Sequence, residues 1–274
     1  MKKVFTLLIL STFFLSSCSQ SDRLELHKER TASAVVYEEI PADFVPKELK
    51  IISAGDSLTE GVGDSTKTGG YLPYLRTLLE EEKGIKEVDF YNFGVKGNRT
   101  PQLLKRLQTE DMKETLAAAD LVILTIGGND IMKVVRDNIS NLQLSVFEKE
   151  REVYINHLIE IMNSIIRVNP EAYIVLVGVY NPFSQWFSDI QELDQIVSNW
   201  NEASQRVVSN YSNAYFVGIE DLFINPAESL LHTDNFHPND KGYELIAERL
   251  NETLEERTLP DLVKKAYMVS KEEN

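Results

Sequence analysis

The stretch "KIISAGDSLTEGVGD", residues 50–64, begins as a buried strand and stops being one at Gly55. An apolar run of this kind has no alternation, so it reads as a strand covered on both faces. It ends in Gly-Asp-Ser, with more glycines just beyond. A strand returning to solvent needs only a polar loop. This turn presents one hydroxyl, that of Ser57, and the rest of the chain can be searched for its partners.

Further along, short apolar runs alternate with helical patterns. The runs are 50–55, 88–94, 121–128, 172–180 and 214–220. Thr100-Pro101 reads as a helix start, Gly84 as the stop of the pattern from Tyr71, and 148–168 repeats its apolar side at helical spacing. A last helix opens at Pro238 and ends near Leu254. Five strands alternating with helices predict a three-layer α/β/α sandwich with a five-stranded parallel sheet. Sites in such folds gather at the carboxyl ends of the strands, beside the switch point.

The residues there carry a consistent chemistry. Ser57 follows the first strand, Gly94, Gly97 and Asn98 the second, and Asn129 and Asp130 the third. Asp234 and His237 precede the last helix. A serine hydroxyl needs a base, and neutral histidine is the usual one. A carboxylate three residues before that histidine can orient it. A tetrahedral intermediate needs donors, which a glycine amide and an asparagine side chain supply. His232 competes with His237 as base. Asp56 and Asp130 read as loop-holding carboxylates. The scattered histidines and single cysteine do not form a metal-ligand pattern.

Four blocks in order, "GDSLTEG" (55–61), "NFGVKGN" (92–98), "GGND" (127–130) and "DNFH" (234–237), resemble the SGNH hydrolases, also called GDSL esterases and lipases. That resemblance implies a flavodoxin-like sheet and hydrolysis of esters without a metal or organic cofactor. It makes Ser57 the nucleophile, His237 the base and Asp234 its partner. Ser57, Gly94 and Asn129 become the oxyanion donors. The alternatives are a thioesterase, a carbohydrate deacetylase, or a surface protein that binds a glycan or lipid in the same cleft. The aromatic stretch 180–187, with Leu142, Leu144, Val146 and Phe147, reads equally as loop packing or as a substrate wall.

The first residues read differently. Lys2 and Lys3 precede an apolar run, Val4 to Leu15, of signal-peptide length, followed by "LSSC" ending at Cys18. This resembles the bacterial lipobox, which implies a leader over 1–17, lipidation of Cys18, and a chain tethered outside the cytoplasmic membrane. An uncleaved anchor and a plain secretory signal remain alternatives. Residues 18–49 read as a tether and 50–274 as the hydrolase domain. Cys18 is the only cysteine among 274 residues, so no internal disulfide can form. The net charge of −15 becomes about −17 without the two leader lysines. Such a surface repels nucleic acid and anionic headgroups, leaving lipid as the membrane partner. The family resemblance implies an ester, small or polymeric, as the substrate. The sequence carries no reading of oligomeric state.

Overall fold

The computed structural model describes residues 46–138, 140–141, 143–183 and 190–264. The leader, Cys18 and most of the expected tether lie outside the described residues. No helix among those described is long and apolar enough to cross a membrane.

The five strands are β1 (Lys47–Gly55), β2 (Ile85–Gly94), β3 (Leu121–Thr125), β4 (Tyr173–Val177) and β5 (Ala214–Val217). All pairings are parallel, in the order β2-β1-β3-β4-β5. The chain first builds outward from β1 to β2, then crosses to the other side of β1. The switch point therefore falls between β1 and β3, directly below Ser57.

Among the described residues, eight helices accompany them: α1 (Ser57–Glu60), α2 (Leu72–Glu80), α3 (Thr100–Arg106), α4 (Glu110–Ala117), α5 (Gly128–Asp137), α6 (Leu144–Val168), α7 (Gln191–Val208) and α8 (Asp240–Arg257). Strand alternation sends Ile52, Ala54, Val122, Leu124, Ile174 and Leu176 to one face, where α3 to α7 cover them. Leu49, Ile51, Leu121, Ile123, Val175 and Val177 face the other way, under α2 and α8. Both faces of the central strands are dry, which is why their sequences run apolar without a break.

The boundaries depart from the sequence reading in explicable ways. β1 starts at Lys47, three residues inside the expected tether. Leu49 is already core, and Lys47 is held by Asp120 at 2.5 Å. β2 starts at Ile85, its polar Lys86 and Glu87 standing on an edge strand that has water on one side. β3 ends early, because Gly127 turns the chain at φ +122° and α5 begins at Gly128, and β4 ends at Val177. The polar end of the fifth run, from Glu220, is a short 3₁₀ turn.

Candidate active site

The site begins where β1 meets α1. A side chain at Gly55 would drive its Cβ to 2.0 Å from the Thr125 carbonyl oxygen, so only glycine lets β1 and β3 close at this level. The Asp56 amide donates to that same oxygen at 3.0 Å. Asp56 then caps α1: its Oδ1 accepts from the Leu58 amide at 3.1 Å and from the Thr125 hydroxyl at 3.0 Å. Burial pushes the Asp56 carboxyl up to about 7, against the hydrogen bonds that favour its charge. Ser57 follows as the first residue of α1, only 3% exposed.

The Ser57 hydroxyl lies 3.0 Å from His237 Nε2, and His237 Nδ1 lies 2.6 Å from Asp234 Oδ2. A ring that donates from Nδ1 to the carboxylate presents Nε2 as the acceptor of the serine proton. Partial burial would raise the Asp234 pKa. Hydrogen bonds from the His237 ring and amide and from the Phe236 amide outweigh it and hold the carboxyl at about 2. The same loop is pinned from outside: the Tyr180 hydroxyl donates to the Phe236 carbonyl at 2.6 Å, and the His232 amide to the His237 carbonyl at 2.8 Å. His232 itself faces outward, 42% exposed, with its ring 3.9 Å from Asp234 Oδ1. It makes no hydrogen bond to Ser57.

The donors around the hydroxyl are arranged differently from the expectation for Gly94. Its amide is taken: it donates to Asn92 Oδ1 at 2.8 Å, while Asn92 Nδ2 holds the Thr59 carbonyl at 2.8 Å. Gly94 is glycine for another reason, since a Cβ there would stand 2.0 Å from the Glu60 amide nitrogen. It lets β2 press against α1. Three residues on, the Gly97 amide has no partner among the described residues. Its neighbour Asn98 accepts Asn129 Nδ2 on its carbonyl at 3.1 Å. Asn129 stands in the first turn of α5 and keeps its second N–H. The Ser57 amide, at the start of α1, is likewise without a partner among the described residues.

Two further supports brace the site, and only the second was legible in the sequence. Arg106 reaches from α3 to the Phe93 carbonyl (2.6 Å), Asn98 Oδ1 (3.2 Å) and the Gly55 carbonyl (3.4 Å), tying together the ends of β1 and β2 and the loop after β2. Asp130 accepts from the Thr100 amide at 3.1 Å and hydroxyl at 2.7 Å, and that hydroxyl lies 3.2 Å from His157 Nδ1. Burial raises the Asp130 pKa. Asp56 and Asp130 thus hold loops, as their positions suggested.

Beside Ser57 a cleft of about 440 Å³, open solvent included, is lined by Leu58, Ile126, Val177, Val179 and Phe236. Of the aromatic stretch, Tyr180 and Pro182 line this cleft and Phe183 a neighbouring one; 184–187 and Leu142 lie outside the described residues. Phe147 lines that neighbour too, Val146 packs on the core and Leu144 is exposed.

Comparisons with known proteins bear on the family and the fold. The model of the GDSL-like lipase/acylhydrolase family matches residues 53–245. The chain is 32% identical over 265 residues to the uncharacterized protein YpmR of Bacillus subtilis, covering 94% of this chain and 98% of that one. It is 26% identical over 218 residues to the spore germination lipase LipC of Bacillus licheniformis, 74% of this chain and 94% of that one. Among solved structures, the lipase Lip_vut3 from a goat rumen metagenome shares the fold with a TM-score of 0.68 at 24% identity, over 74% of this chain and 96% of that one. The acetylxylan esterase Axe2 of Geobacillus stearothermophilus does so with a TM-score of 0.59 at 18% identity, over 78% and 96%.

Proposed function

We infer that the chain, which belongs to the GDSL-like lipase/acylhydrolase family and is an ester-hydrolysing serine hydrolase, works through an acyl-enzyme on Ser57. The observation that carries this reading is the relay Ser57–His237–Asp234, with contacts of 3.0 and 2.6 Å. His237 Nε2 takes the hydroxyl proton as Oγ attacks the ester carbonyl carbon. The oxyanion is held by the Ser57 and Gly97 amides and Asn129 Nδ2. His237 returns its proton to the departing alcohol. It then takes one from water as the water oxygen attacks the acyl carbon, and gives that proton to Ser57 Oγ as the Oγ–carbon bond breaks and the acid leaves. Asp234 stays ionised throughout and stabilises the imidazolium.

The second part of the proposal is where this happens: outside the cytoplasmic membrane, held by lipid on Cys18. The lipobox-like "LSSC" and the absence of any other cysteine support it. The negative charge supports lipid over electrostatics as the means of attachment. The name of the Bacillus licheniformis relative, a lipase, favours a lipid-derived ester.

An active-site serine probe tests the chemistry. A fluorophosphonate labels the wild-type chain and does not label Ser57→Ala. No labelling and no turnover of any ester would sink the acyl-enzyme. Metabolic labelling with an alkyne fatty acid tests the anchor: label and membrane sedimentation both disappear in Cys18→Ser, and a wild-type chain that takes no label overturns it.

A further inference from the structure

We propose that the acyl chain of the substrate runs from Ser57 through the first cleft into a second apolar chamber, and that Phe236 is the partition controlling how far it reaches. This rests on the esterase reading above and narrows its substrate to esters of medium or longer fatty acids.

The second chamber, a space of about 450 Å³ with open solvent included, lies between α5, α6 and α7. Its wall includes Ile131, Met132 and Val135 from α5, Phe147 from α6, and Leu193 and Ile196 from α7. The two spaces share Gly128, Tyr180, Pro182 and Phe236, so they are neighbours through a common wall at the nucleophile. The chief polar side chain on the second chamber, Asn181, is largely committed: one N–H of its Nδ2 donates to Asp194 at 2.7 Å and its Oδ1 accepts from the Phe183 amide at 2.9 Å. A sugar or a glycerol placed there would lose most of its hydrogen bonds to water and find few in return. A hydrocarbon chain loses nothing and gains burial. An acetyl group would not reach it.

Phe236 stands at the junction. Its ring meets His237 edge-on at 5.0 Å and Phe183 at 6.3 Å, tilted by 56°. Its amide is held by Asp234 Oδ1 at 3.0 Å and its carbonyl by the Tyr180 hydroxyl. The backbone that fixes the relay thus also fixes the ring dividing the two spaces.

The test is a series of p-nitrophenyl esters from acetate to laurate on the full-length protein. The expected result is a rise in kcat/KM of about fourfold per methylene until the second chamber is filled. Met132→Trp, which fills the chamber from α5, lowers the octanoate-to-acetate ratio on the order of tenfold. Val197→Phe, at another wall position of the chamber, does the same from α7, should the first variant fail to fold. Phe236→Ala shifts the optimum toward longer chains. A maximum at acetate, or ratios unmoved by either filling variant, overturns the chamber while leaving the esterase standing. If no ester is cleaved, decanoate binding to the same variants, followed by displacement of a fluorescent apolar dye, separates the two. Binding lost in Met132→Trp keeps the chamber and removes the esterase; no binding by the wild type removes both.

Discussion

The hydroxyl of Ser57 and the Nε2 atom of His237, 180 positions apart in the chain, stand 3.0 Å from each other. The sheet brings them together. β1 delivers the serine at the switch point, and the loop before α8 folds back over it, held by the Leu231–Pro238 bridge and the Tyr180 hydroxyl. Replacing Asp234 by Asn is expected to leave this meeting in place but to spoil the tautomer. The loss in kcat should be on the order of 10⁴, with KM little changed. Steady-state kinetics on a short-chain ester checks it.

Asp234 and Asp56 titrate in opposite senses, which gives a prediction in pH. The Asp234 pKa is lowered to about 2, so its contribution to stability is present above the unfolded carboxylate pKa and fades as pH falls toward 2. Asp56 is raised to about 7. The folded state therefore binds its proton more tightly, and its ionisation weakens the fold as pH rises from about 4 to 7. Asp56→Asn keeps an acceptor for Leu58 and Thr125 but has no charge to bury. Its melting temperature should gain on the wild type across that interval. Parallel melting curves over the same pH range would contradict this.

Asn129→Ala removes a donor aimed at the reacting centre. The expected cost is on the order of 10²–10³ in kcat, with the fluorophosphonate still reacting, only more slowly. Full activity in this variant would mean that the oxyanion lies elsewhere.

Gly94→Ala should act through packing and not through a lost oxyanion contact. Its Cβ would meet the Glu60 backbone at 2.0 Å. Overpacking of this kind costs about 1–3 kcal/mol, and a domain of this size loses about 2–4 °C per kcal/mol. A drop in melting temperature should therefore accompany any loss of activity. An unchanged melting temperature would contradict this packing role.

Arg106→Gln should loosen the loop that carries Gly97 and Asn98. The guanidinium fork satisfies three oxygens on three segments. A fall in kcat between about tenfold and a hundredfold is expected, with KM nearly constant and partial recovery in Arg106→Lys. A change confined to KM would exclude this positioning role.

That Ser57, His237 and Asn129 gather at one end of the sheet was legible in the sequence because each sits beside a strand end or a helix start that leaves a local mark: Gly55 before Ser57, the glycine pair before Asn129, Pro238 after His237. Gly94 was read as a donor because it follows a strand, and nothing local reveals that Asn92 would occupy its amide. Arg106 leaves no local mark, because its partners come from other segments. α7 was missed since Asn201 and Ser204 lie on its buried side. Asn201 bonds both the amide and the carbonyl of Val179, and Ser204 pairs with Tyr154. A polar residue that finds such partners breaks the apolar period without breaking the helix.

The place of β1 in the sheet has a mechanical consequence. Hydrogen bonds grip this strand along both edges, from Lys47 to Gly55 on the side of β2 and from Ile51 onward on the side of β3. Tension on the chain ahead of Lys47 would load both ladders in shear, so that many bonds resist together instead of opening one by one. The nucleophile, ten residues downstream, is thereby insulated from forces arriving through the amino-terminal end.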